Sequence, residues 1–177
     1  MRGVEKITQI KFAATALYHS GRINIALRPD WHVDSVNYVN RLATERACGK
    51  SCHLYRAEPT FLLQGTLRSF SVAANKNTLR GPKIMERGEI GWAGGGAGPD
   101  FFIYLGDRPA AHWGHDHTVW GVVADPESLR VAEKIVNLPS HTPGGPNTMR
   151  FLKDFMYFDI EPGVASNKSS SRVFMLS

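Results

Sequence analysis

The chain has 177 residues, 42% hydrophobic and 21% charged, which suits one compact domain with a substantial core. Its formal charge of +5 and pI near 9.4 come from scattered rather than clustered Lys and Arg, so a solvated basic surface is expected and nucleic-acid binding is not. No run approaches the roughly 18 apolar residues of a membrane span, and Glu5 and Lys6 interrupt the stretch a signal peptide would need.

Residues 1–8 carry no pattern and read as an N-terminal extension ahead of a folded unit over 9–162. Ile10–Ala13 and Arg22–Leu27 alternate apolar and polar residues around Ser20-Gly21, which predicts a hairpin. Asp34 caps a predicted helix with Val36, Tyr38, Val39 and Leu42 on one side, stopping before Gly49. Cys48 and Cys52 follow. They lack the partners of a zinc site, and free thiols are expected because the sequence specifies no redox compartment. The default location is cytoplasmic, or a secretory lumen if the two are paired.

Strands are predicted at His53–Arg56 and Phe61–Leu67, then a polar loop over Ser71–Arg87. Phe101–Leu105 and Thr118–Val123 read as buried strands. Pro126 opens a second helix through Leu129, Ala132, Ile135 and Val136, and Phe155–Ile160 forms a last strand. Residues 163–177 read as a flexible polar tail with a glycosylation sequon at Asn167. Many strands, two helices and Gly/Pro-rich connections predict a mainly β fold, a closed antiparallel barrel with helices over its ends.

Four segments then occur in a telling order. Leu54-Tyr55-Arg56-Ala57-Glu58-Pro59-Thr60-Phe61-Leu62-Leu63-Gln64-Gly65 resembles the cyclophilin family's Phe-His-Arg segment with its following Pro-Gly-Phe-Met-x-Gln-Gly run. Gly88–Gly95 is similar to that family's Gly-x-x-Ser-Met-Ala-Asn-Ala strand, Pro99–Ile103 to its Ser-Gln-Phe-Phe-Ile, and His117–Val123 to its His-x-Val-Phe-Gly-x-Val. The resemblance covers about Gln9 to Ile160. It implies an eight-stranded barrel and peptidyl-prolyl cis-trans isomerase activity on proline-containing peptide or protein clients, with no cofactor and no metal, and the departures below make a reduced or altered activity the expectation.

Rotation about an X-Pro bond needs no nucleophile. It needs a grip on the proline ring and a fixed donor for the twisted amide. The resemblance assigns the donor to Arg56, with Gln64 orienting it and bonding substrate backbone. Phe61, Leu62 and Phe102 would form the proline pocket, and His117 would close its rim and donate to a substrate carbonyl. Trp92, Ala93, Gly94, Gly95, Asp100, His112 and Trp113 would line the adjoining groove. Some positions depart from the pattern. Gly94 stands for the family's Asn, Asp100 for its Gln, and the turn Gly94–Pro99 is about three residues short. His112 stands where the family commonly has a Trp that contacts cyclosporin, so weak or no cyclosporin binding is expected.

Two rivals remain. His112, His115, Asp116 and His117 are enough on paper for a metal, but their spacing is no fingerprint. The other is a non-catalytic cyclophilin-like scaffold that holds a proline segment in a larger assembly. An Asp100–Arg56 ion pair across the groove would favour that reading.

Overall fold

The computed structural model describes residues 7–12, 20–75 and 83–163. Its strands are β1 (Ile7–Phe12), β2 (Gly21–Leu27), β3 (His53–Glu58), β4 (Leu62–Thr66), β5 (Glu89–Trp92), β6 (Asp100–Tyr104), β7 (Val119–Val123), β8 (Ser140–His141) and β9 (Phe151–Pro162). Its helices are α1 (Val33–Glu45) and α2 (Pro126–Val136). Antiparallel pairing runs β1-β2-β7-β5-β6-β4-β3-β9, and β1 pairs back onto β9. Eight strands thus close the expected barrel, and β8 adds a two-residue pairing at the start of β9.

Closure follows from alternation in β1. Thr8, Ile10 and Phe12 are buried, and Ile10 and Phe12 meet Ile160 and Phe158 across the seam. The Phe12 and Phe158 rings pack edge to face at 5.6 Å. β9 runs beyond the expected Phe155–Ile160 at both ends because it serves β8, β3 and β1 in succession. Ile25, Leu54, Leu63, Trp92, Phe101, Ile103, Trp120 and Ile160, each at most 1% exposed, fill the interior. Each such side chain contributes about 1.5–3 kcal/mol by leaving water.

α1 buries Val36, Val39 and Leu42 and packs against β9 and β7. Its cap is His32, not the expected Asp34: the His32 ring nitrogen Nδ1 accepts the Ser35 N–H at 3.2 Å, and Asp34 lies in the first turn. A carboxylate there faces the positive end of the helix dipole. α2 starts at Pro126 as expected, capped by Asp125, which accepts the Ser128 N–H at 2.7 Å and Asn24 Nδ2 of β2 at 2.9 Å. Burial pushes the Asp125 carboxyl up, but these hydrogen bonds outweigh it and hold the group below the usual range.

The free-thiol expectation is corrected. Cys48 and Cys52 are disulfide-bonded, because the turn after α1, closed by Ser51 N–H to the Cys48 carbonyl at 2.8 Å, brings their Cα atoms to 5.0 Å. Of the earlier expectations, Ala13, residues 76–82 of the polar loop, most of the N-terminal extension and the tail with Asn167 lie outside the described residues. Among the described residues no helix is long and apolar enough to cross a membrane.

Candidate functional site

The register of β3, β4 and β6 builds the site. Arg56 lies opposite Gln64, and Gln64 opposite Phe102, so one cross-strand row carries cation, amide and aromatic ring. The neighbouring row carries Glu58, Leu62 and Tyr104. Alternation sends Phe101, Ile103 and Leu63 to the barrel interior and Phe102, Tyr104 and Leu62 into a second apolar cluster with Met85, Ala110 and Val119. Phe61, Ala93 and Trp113 pack against that cluster.

On it sits a cavity of about 370 Å³ that brings together Arg56, Phe61, Leu62, Gln64, Ala93, Gly94, Phe102, Trp113 and His117. Aromatic rings form its walls. His117 meets Phe102 and Trp113 edge-on, each at 4.9 Å, and Trp113 lies 5.3 Å from Phe61. Met149, from the turn before β9, completes the lining. No sequence signal marked it, because it reaches the site from nearly a hundred residues beyond Arg56.

The remaining sequence-predicted residues lie off this lining. Trp92 is fully buried beneath the site, where its indole N–H donates to Ser35 Oγ at 2.7 Å and its carbonyl accepts from His117 Nδ1 at 3.0 Å. With Nδ1 bonded to that carbonyl, Nε2 is the ring nitrogen left for the cavity. Gly95 shares the left-handed turn with Gly94 but is not on the cavity wall. His112 is exposed and off the cavity wall, whereas its neighbour Trp113, also expected at the groove, lines it. The short 3-10 turn over Ala111–Trp113 rotates one ring out and the next one in.

Arg56 is tightly held. Its Nε donates to Glu58 Oε1 at 2.6 Å, and its Nη1 to Gln64 Oε1 at 3.1 Å. Gln64 Nε2 in turn donates to the Tyr55 hydroxyl at 2.7 Å, and that hydroxyl donates to Asp100 Oδ2 at 3.4 Å. Asp100 therefore bonds Tyr55, and the carboxylate paired with Arg56 is Glu58. Burial, with the Asp100 charge beside it, pushes the Tyr55 hydroxyl up to about 12. Among the described residues no group of three or more His, Cys, Asp or Glu is arranged to hold a metal ion.

No family model and no curated protein matches the sequence. Solved structures do. A Cryptosporidium parvum cyclophilin type peptidyl-prolyl cis-trans isomerase, determined in the presence of the dipeptide Ala-Pro, aligns with a TM-score of 0.57 at 18% identity, covering 84% of this chain and 98% of that one. A second structure of that isomerase aligns at 0.54 with 16% identity, covering 85% and 97%. At such identities the likeness speaks for the backbone. The closed eight-strand antiparallel barrel and the two helices agree with it: the chain has the cyclophilin fold.

Proposed function

We propose that the chain is a peptidyl-prolyl cis-trans isomerase acting on X-Pro bonds of peptides or proteins. The observation that carries this reading is the cross-strand row Arg56, Gln64 and Phe102 at an apolar, ring-walled cavity. Such a cavity suits a proline ring, which carries no N–H to satisfy. The amide must twist across a barrier of about 18–20 kcal/mol, losing resonance and gathering electron density on nitrogen. A guanidinium fixed beside it stabilises that density more than the planar ground state. The Ala-Pro dipeptide with which a protein of the same fold was determined supports a proline-containing ligand.

The test is isomerisation of short X-Pro peptides by wild type and Arg56→Ala. Removing one preorganised donor to a transition-state charge costs about a hundredfold in rate, so Arg56→Ala is expected to fall close to the uncatalysed rate. A second reading rests on one specific observation: Arg56 is already ion-paired to Glu58, which draws off part of its charge. In that reading the barrel holds a proline segment without turning it over, as a scaffold. Folded wild type that binds X-Pro peptides yet leaves their isomerisation at the uncatalysed rate decides for the scaffold.

A further inference from the structure

Consecutive residues of a strand face opposite sides of the sheet, yet Tyr55 and Arg56 both bond the side chain of Gln64. The reason is a bulge. Leu54 pairs with Gly65 and Arg56 with Gln64, so Tyr55 has no partner of its own on β4. The pairing with β9 shifts at the same place, from Leu54–Met156 to Arg56–Phe151. A bulge re-aims a side chain that a regular strand would send elsewhere. Here it turns Tyr55 onto the site face, where its ring stacks on Phe151 at 6.5 Å and 17°. Two residues beyond Arg56, on the same face, stands Glu58.

We propose that Tyr55 and Glu58 are positioning residues that hold the Arg56–Gln64 pair in one orientation, an inference that rests on the isomerase reading above. The hydrogen bonds form a single chain in which every donor points outward from Arg56. Glu58 accepts from Nε at one edge of the planar guanidinium and Gln64 accepts from Nη1 at another, which fixes its plane. Gln64 presents its oxygen to Arg56 only while its NH2 is claimed by Tyr55. Tyr55 is poised to accept because its own proton is directed at Asp100. With two nitrogens engaged, Nη2 is left to meet substrate. Arg56 and Glu58 side chains are 16% and 23% exposed, so the clamp is sheltered from competing water. Both roles come from residues whose sequence positions mark them as a ring on the wrong face and a surface acid.

The experiment has two arms. The first follows the Arg56 Nε–Hε signal by nitrogen-15 NMR, which reports on the clamp whether or not the protein turns over. Wild type is expected to show a protected signal that moves and exchanges faster in Glu58→Ala and in Tyr55→Phe. The second measures isomerisation. Glu58→Ala is expected to lower kcat about tenfold and Tyr55→Phe about threefold, with KM little changed, because misaimed donors lose transition-state contact. Glu58→Gln keeps an acceptor oxygen in the same place and is expected to recover most of the rate. In an Arg56→Lys background, which keeps the cation but not the fork, Glu58→Ala and Tyr55→Phe should each cost less than they do in wild type.

Equal losses in that background, or a faster enzyme on Glu58→Ala, would overturn the proposal; the latter would make Glu58 a brake. If wild type itself does not accelerate isomerisation, the isomerase reading fails separately and the NMR arm alone decides. An Nε–Hε signal untouched by both substitutions then overturns the clamp. Tyr55→Phe and Glu58→Gln preserve shape and keep the test open if Glu58→Ala folds poorly.

Discussion

Ser35→Ala removes one oxygen from a site at which three elements meet, and its cost can be worked from the contacts. Ser35 Oγ accepts the Trp92 indole N–H at 2.7 Å and Asn75 Nδ2 at 3.2 Å, and it lies 2.7 Å from His32 Nδ1. Because it accepts twice, its own proton goes to Nδ1, which also accepts the Ser35 N–H. Alanine keeps that backbone cap but strands an indole N–H on a residue that is 0% exposed. An orphaned buried donor costs about 1–3 kcal/mol, and the small void adds to it, so a loss of about 2–3 kcal/mol is expected. For a chain of this size that lowers Tm by roughly 5–10 °C. Urea unfolding should show a lower midpoint with an unchanged m-value. In a double-mutant cycle with Trp92→Phe the two losses should couple by more than about 1 kcal/mol. A loss below about 0.5 kcal/mol in Ser35→Ala would mean that the Trp92 indole N–H does not depend on this oxygen. The same bond steadies the site, since the carbonyl of Trp92 is what His117 donates to.

Gly65→Ala should be more damaging than a strand glycine usually allows. Its Cβ would lie 2.4 Å from the His53 carbonyl oxygen and 2.9 Å from Leu54 Cδ2, beside the β3 bulge, so a loss of about 3 kcal/mol in thermal unfolding is expected. Tyr55 supplies a pH prediction. Its hydroxyl titrates near 12 in the fold against 10 in the unfolded chain, so its contribution to stability is complete below pH 10 and falls away as pH rises from 10 through 12. Absorbance titration of wild type against Tyr55→Phe should show one late-ionising tyrosine missing from the variant, and urea midpoints measured across that range should fall more steeply in wild type.

What could be read in advance follows from how each part is built. Phe61, Leu62, Gln64 and Phe102 lie on or beside regular strands, where alternation alone separates Phe101 in the core from Phe102 in the cavity. The barrel was legible for the same reason in β1, β2 and β9, whereas β5 has all four residues buried and no period to detect; only the likeness of Gly88–Gly95 to a known strand pointed to it. Where backbone leaves the regular ladder, residue-by-residue reading slips by a position or two. His32 takes the capping role expected of Asp34, and of the neighbours His112 and Trp113, both expected at the groove, Trp113 reaches the cavity wall. Tyr55 is the most consequential case. Strict alternation would put it behind Arg56, and the single extra residue of a bulge brings it round to Gln64. Glu58 fails differently: its same-face spacing from Arg56 was visible, but an acid near a strand end is ordinarily a weak surface partner. It gains meaning only because the opposite side of the same guanidinium is taken by Gln64, which leaves Arg56 with one orientation rather than many. A cation with one orientation is what the twisted amide requires, and it takes both carboxylate and amide to impose it.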